Sequence, residues 1–481
     1  MLPNFLRLLL ASGVLLTLLA AAAPQGARAQ RAPKPSPANS AGVAVWLTTA
    51  DQAVLFQPQA GPLTFAAGTN ANPTIEIDEA KTYQTIDGFG YCLTGGSAQL
   101  LHQMGAAERG QLLRELFGTD GRAIGVSYLR VSIGASDLDD RVFSYDDLPA
   151  GQTDPALAHF SLAPDQPHLL PVLKEILAIN PNLKILGSPW SPPTWMKTNG
   201  ASKGGSLKPE FYDAYARYFV KYVEGMKAAG VRIDAITAQN EPLHPGNNPS
   251  LLMPAEQQAA FIGQSLGPAF RRARLDTKII CYDHNADKPE YPLTVLGDAA
   301  AAPYVDGSAF HLYAGPIEAL SRVHDAYPGK RVYFTEQWVG SKTKFDDNLR
   351  WHIKTLIVGA TRNWSRTVLE WNLAADPQQN PHTPGGCTEC LGALTLAGNA
   401  ATRNVAYYII AHASKFVRPG SVRVASTLPD KLPNVAFRTP TGQRVLVVLN
   451  DGAAVQVFNI RQDGRQVAAT LPAGAVGTYV W

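Results

Sequence analysis

The chain has little cysteine, no marked surplus of charge and, beyond its first residues, no long apolar run. Four cysteines, Cys92, Cys281, Cys387 and Cys390, stand among 481 residues, too few for a disulfide-built scaffold. Cys387-Thr-Glu-Cys390 reads as a tight local bridge or as half of a zinc site. A second C-x-x-C or a His pair at ligand spacing is missing, which weighs against zinc, and no helix-opening context supports a redox pair. Lys and Arg number 42 against 39 Asp and Glu. Arg7 and Arg28 fall in the first 29 residues, so the remainder sits near +1. Such balance argues against nucleic acid or any other polyanionic partner. No segment after the first 29 residues is apolar enough to span a bilayer, so stable membrane insertion is not expected. No repeat of solenoid length is visible.

What is present begins with a leader. Arg7, the apolar stretch Leu8 to Ala23 and the site Ala27-Arg28-Ala29 read as a signal peptide over residues 1–29, and place the protein in the periplasm or outside the cell. Residues 30–42, QRAPKPSPANSAG, are a Pro-, Ala- and Ser-rich flexible linker that cannot build a core. With 46% hydrophobic residues, the rest is long enough for a large barrel and a small satellite domain.

Short alternating runs in residues 43–84, such as Val43–Leu47 and Pro73–Ile77, read as strands of an antiparallel unit. From Thr85 to residue 410 short apolar runs alternate with helical stretches, the mark of parallel βα units. Eight such runs are present: Thr85–Phe89, Ser127–Ile133, Lys184–Ser188, Ala235–Gln239, Lys278–Tyr282, Gly307–Tyr313, Arg331–Thr335 and Thr367–Asn372. Helices are expected at Pro209–Ala229 and Pro254–Ala273. The fold class is therefore α/β, a (β/α)8 TIM barrel. In residues 411–481, Val422–Ser426, Val435–Thr439, Gln443–Asn450, Gln456–Arg461 and Val476–Trp481 are β-runs that should join the N-terminal strands in a small β-sandwich.

Barrel enzymes carry their chemistry where the strands end. The fourth run delivers Asn240 and Glu241 there, and the seventh delivers Glu336. Two carboxylates facing each other across a barrel mouth suit acid/base and nucleophile work on an acetal. The acid needs a raised pKa and the nucleophile must stay ionised; Arg130, ending the second run, is placed to supply the positive charge. Trp190, Trp195, Trp338, Trp371, Tyr91, His311 and Tyr313 sit at or just past strand ends, and aromatic faces stack on the C–H face of a sugar. Trp190 and Trp371 are the leading candidates among them.

At these residues the chain resembles glycoside hydrolase family 30, which includes lysosomal glucosylceramidase and endo-β-1,6-glucanases. The matching segments are Asp87-Gly-Phe-Gly90, Leu129-Arg-Val-Ser132, Gly187–Gly200, Thr237-Ala-Gln-Asn-Glu-Pro242, Thr335-Glu336, Trp371-Asn-Leu373 and Ser414-Lys-Phe416. The resemblance implies a barrel with a sandwich built from both chain ends, and hydrolysis with retention. It implies Glu241 as acid/base, Glu336 as nucleophile, Asn240 as donor to the 2-hydroxyl, Arg130 and Tyr313 as residues orienting the nucleophile, and Trp190 and Trp371 as walls. His311 is kept with these as a substrate-site candidate. No metal and no organic cofactor are implied. One departure stands out: glucosylceramidases of the family are expected to carry a sugar-binding aspartate where this chain has Gly95, which turns the reading from glucosylceramide toward polysaccharide. The loop Gln378–Cys390 should overhang the site, with Cys387 and Cys390 as its disulfide candidate. The expected activity is that of a secreted retaining endo-β-1,6-glucanase acting on a β-glucan. The alternatives are a glucosylceramidase, another β-glucosidase or β-xylosidase-like enzyme, and a non-catalytic carbohydrate-binding protein.

Overall fold

A computed structural model describes residues 42–481; the expected signal peptide and all but the last residue of the linker lie outside the described residues. The eight expected runs form one closed parallel barrel. Its strands are β1 Gly88–Cys92, β2 Tyr128–Ser132, β3 Lys184–Ser188, β4 Ala235–Thr237, β5 Lys278–Asn285, β6 Val305–His311, β7 Arg331–Glu336 and β8 Ser365–Asn372. The first begins three residues later than expected, because Thr85 ends a long strand of the other sheet, Thr74–Thr85.

Side chains alternate across a strand, so one interior residue sets the next two positions along. Tyr128, Leu186, Ala235, Ile280, Ala309, Tyr333 and Leu369 fill the lower barrel. Two residues further toward the strand ends the same face presents Arg130, Ser188, Thr237, His311, Thr335 and Trp371. A polar layer therefore lies directly above the apolar one.

Helices cover the outside. Tyr212–Ala228 buries Tyr215, Tyr218, Phe219 and Tyr222, and a single turn at Pro209–Phe211 precedes it. The stretch expected at Pro254–Ala273 is helical from Ala255 to Arg272 in three short pieces. The last helix, Val405–Ser414, runs across residue 410, where a domain boundary was expected. Tyr91 points outward to this helix, its hydroxyl donating to the carbonyls of Ala406 and Tyr407 at 3.2 and 3.4 Å, so it is no part of the strand-end aromatic group.

The second sheet has nine strands drawn from both chain ends. Ala44–Thr48 pairs with Val476–Val480, and Thr74–Thr85 lies between Val422–Ser426 and Gln456–Gln462. One strand, Arg465–Leu471, was not expected. Its inward residues, Val467, Ala469 and Leu471, alternate with Ala468 and Thr470, a weak polarity contrast. The turn before it is Asp463-Gly464, both at positive φ, a strong hairpin signal. Among the described residues no helix is long and apolar enough to cross a membrane.

Candidate active site

The polar layer converges on Asp283, fully buried at the end of β5. It accepts hydrogen bonds from Arg130 Nη2 at 2.8 Å, Ser188 Oγ at 2.7 Å, Thr237 Oγ1 at 2.7 Å and Thr335 Oγ1 at 2.6 Å, and contacts His311 Nε2 at 3.1 Å. By strand phase Tyr282 should face inward. The β5–β6 register shifts between Tyr282 and His284, and both Tyr282 and Asp283 have positive φ. This bulge sends Tyr282 out against Tyr291 and Phe310 and turns Asp283 in. The expected fifth run stopped at Tyr282, and so missed the residue that organises the site.

Glu336 is brought inward by a similar register shift between Phe334 and itself on β7. Arg130 Nη1 donates to its Oε2 at 2.5 Å and the Tyr313 hydroxyl to its Oε1 at 2.8 Å. Glu241 stands opposite with φ +43°, a strained backbone that the surrounding contacts must hold. Its N–H donates to the Asp283 carbonyl at 2.9 Å and the preceding Asn240 N–H to the Pro189 carbonyl at 2.8 Å. The Glu241 side chain has looser partners: Asn247 Nδ2 at 3.3 Å and His311 Nδ1 at 3.4 Å. Oxygens of Glu241 and Glu336 lie within 4.8 Å of each other and of a His311 ring nitrogen.

Both carboxylates border a cavity of about 420 Å³ together with Asp137, His244, Asn247, Asn285, Trp338, Tyr313, Trp190, Trp371, Cys387 and Cys390. Trp190 and Trp371 pack with ring centroids 5.4 Å apart, and the Arg130 guanidinium lies over both. Cys387 and Cys390 are joined in a disulfide at the cavity wall. The loop that carries them is tied to the loop after β2, Thr383 N–H and Cys387 N–H bonding the Asp137 carbonyl and carboxylate at 2.9 and 3.2 Å.

Not every expected residue faces this cavity. Arg130 and His311 are completely buried and lie beneath the carboxylates. Asn240 is held there too, its Oδ1 accepting from Arg130 Nη2 at 2.6 Å, which leaves its amide hydrogens free. Trp195 turns away and donates from Nε1 to the Asp146 carbonyl at 3.0 Å. The space at Gly95 is taken by Asp139: a Cβ on Gly95 would lie 1.6 Å from Asp139 Oδ1. A carboxylate nevertheless reaches the cavity, from Asp137, which the sequence reading passed over. Its signal was position, seven residues past Arg130 on the loop after a barrel strand.

The electrostatics are those of a crowded, dry site. Burial opposes the charge on His311, yet Glu336, Asp283 and Glu241 raise its pKa to about 9. Burial is outweighed at Asp283, where Arg130 and His311 hold the carboxyl well below its usual range. Burial, followed by the charge of Glu336, lifts Asp137 to about 7. Burial also pushes both glutamates upward. At Glu241 the imidazoles of His311, His284 and His244 work against this, and at Glu336 His311 and Arg130 do the same. An arginine at 2.5 Å and a phenol at 2.8 Å stabilise an anion at Glu336 more than donors at 3.3 and 3.4 Å do at Glu241. Glu241, His311 and Glu336 have the spacing of a cation site, but Arg130 already neutralises Glu336 and a protonated imidazole does not ligate.

A (β/α)8 barrel with two glutamates at the ends of its fourth and seventh strands, below an aromatic-walled cavity, is the frame of a glycoside hydrolase. The chain belongs to glycosyl hydrolase family 30: residues 86–417 match the family's TIM-barrel domain and residues 420–479 its beta sandwich domain. It is 36% identical over 439 residues to endo-1,6-beta-D-glucanase of Neurospora crassa, covering 87% of this chain and 90% of that one. It is 30% identical over 442 residues to lysosomal acid glucosylceramidase of Mus musculus, covering 86% and 84%. A solved endo-beta1,6-glucanase structure is similar with a TM-score of 0.85 and 35% identity, over 92% of this chain and 99% of that one.

Proposed function

We propose that the protein is an exported, retaining endo-β-1,6-glucanase with Glu336 as nucleophile and Glu241 as general acid/base. The observation that carries this reading is the convergence of Glu241 and Glu336 on one cavity from the ends of the fourth and seventh strands, with an oxygen of each no more than 4.8 Å from one of the other. Double displacement needs about 5 Å between them, whereas an inverting enzyme leaves roughly 6.5–9.5 Å for a water. In the first step Glu336 forms a bond to the anomeric carbon as the bond to the leaving oxygen breaks, and Glu241 gives that oxygen its proton. In the second, Glu241 takes a proton from the water that displaces Glu336.

The remaining residues have roles that follow from their contacts. Arg130 and Tyr313 keep Glu336 ionised and aimed; the free amide of Asn240 is placed for the 2-hydroxyl. Trp190 and Trp371 wall the reacting sugar, and the Asp137 carboxylate is placed to accept from its outer hydroxyls. The β-1,6 linkage is supported by the names of the relatives, and export by the sequence of the leader together with the Cys387–Cys390 disulfide.

The test is hydrolysis of β-1,6-glucan followed by NMR, with glucosylceramide and β-xylan in parallel. The first-formed reducing end should be the β-anomer. Glu336→Gln should lower turnover by more than about 10⁴-fold, and Glu241→Gln by about 10²–10⁴-fold. An α-anomer formed first would overturn retention; faster release from glucosylceramide or xylan would overturn the linkage.

A further inference from the structure

The loop after β2 holds a second cluster of charge that the glycosidase chemistry does not use. Asp146, Asp154 and His159 each offer a ligand atom, and these atoms lie within 4.8 Å of one another. Asp154 Oδ2 accepts from His159 N–H at 2.8 Å and sits 2.9 Å from His159 Nδ1. Asp146 has no such provision. The residue is 1% exposed, and neither carboxylate oxygen has a hydrogen-bond partner among the described residues. A buried carboxylate with no donor is costly, because its lost hydration is not replaced. A charged His159 would balance one of the two aspartates, leaving one negative charge over.

We propose that Asp146, Asp154 and His159 form a binding site for a divalent transition-metal ion of the zinc class. A dication supplies the missing positive charge and a direct partner for Asp146. The imidazole selects the ion: calcium and magnesium take oxygen ligands, whereas zinc accepts histidine and carboxylate together and completes a tetrahedron with water. The ion takes the place of the proton between His159 Nδ1 and Asp154, with the neutral ring carrying its proton on Nε2. His159 is exposed, which gives the ion its route in. The site is structural, and it does not depend on the glucanase reading. The Asp146 carbonyl accepts from Trp195, so the ion would pin the same loop that brings Asp137 to the cavity onto the segment following Trp190.

The test is calorimetric titration of the chelator-treated protein with zinc chloride, repeated with calcium chloride. The variants are His159→Ala, Asp146→Asn and Glu241→Gln. Because His159 is exposed, its replacement should leave the fold intact, as a melting curve without metal will show. One equivalent of zinc should bind, at least about tenfold more weakly in His159→Ala and Asp146→Asn, and unchanged in Glu241→Gln. Zinc should also raise the melting temperature of the wild type and leave that of His159→Ala unmoved. The absence of saturable binding would overturn the proposal. Zinc binding lost in Glu241→Gln and kept in His159→Ala would also overturn it, since the ion would then lie between Glu241, His311 and Glu336. Calcium binding as tight as zinc, and insensitive to His159, would do the same.

Discussion

Asp283 carries the geometry of the site without touching the cavity. Its carboxylate ties together residues from the second through seventh barrel strands, and it shares with Glu336 the neutralisation of a guanidinium that has no exposure at all. Asp283→Asn keeps the shape and removes the charge. It should lower unfolding free energy by about 3 kcal/mol, the order expected when one partner of a buried ion pair is lost, and should reduce kcat as Arg130 and His311 shift. Urea denaturation measures the first and steady-state hydrolysis the second; an unchanged midpoint would show that Arg130 is held by other means. The two glutamates were legible in the sequence because each closes a strong β-run. Asp283 was not, because a bulge adds one residue to the strand and reverses inside and outside from there on. Hydrophobic alternation records the phase of a strand and contains no mark of where that phase slips. Arg130 and His311, two positions beyond Tyr128 and Ala309, followed the regular phase, and their burial could have been read from it.

Among the elements, the strands were the most legible and the loops the least. Every barrel strand appears where an apolar run predicted it, since a strand covered on both faces has to be apolar throughout. Loop contacts depend on which distant segments meet. That Asp139 fills the space at Gly95 brings a loop against the start of the helix Gly95–Gln103, 44 residues earlier in the chain, and only the folded arrangement shows it. The loop bearing Cys387 and Cys390 was expected to overhang the site, and it does so through its bonds to Asp137 and through Thr383, whose hydroxyl donates to the Asn248 carbonyl. It supplies a wall and no reacting group. Replacing both cysteines by serine should therefore raise KM for glucan by roughly three- to tenfold and leave kcat within about twofold, the pattern of lost uniform binding. Steady-state kinetics on the double variant decide it, and a fall in kcat with KM unchanged would mean that the wall positions the carboxylates.

At the scale of the whole molecule, both chain ends close on the barrel at one buried histidine. His412, on the helix Val405–Ser414, contacts Thr478 Oγ1 through Nδ1 at 2.9 Å and Thr48 Oγ1 through Nε2 at 2.8 Å. Thr478 already donates its hydroxyl proton to the His412 carbonyl at 2.9 Å, so it accepts from Nδ1–H, and Nε2 is left to accept from Thr48. Only a neutral imidazole satisfies all three groups. Burial accordingly lowers the pKa of His412 to about 3, from an ordinary value of 6.5. The strand runs announced a sandwich made from the two ends, but their docking onto this helix depends on three hydroxyl and imidazole protons that no pattern of polarity encodes. A folded-state pKa below the unfolded one gives stability that is present above pH 6.5. As pH falls below that, the unfolded chain binds the proton and the folded chain does not, so stability declines until about pH 3, with a slope near 1.4 kcal/mol per pH unit from this residue. His412→Gln keeps a donor and an acceptor and cannot titrate. Urea midpoints measured from pH 7 to pH 4 should fall less steeply in the variant than in the wild type; parallel slopes would mean that His412 is charged in the folded state and that the hydroxyls around it are arranged otherwise.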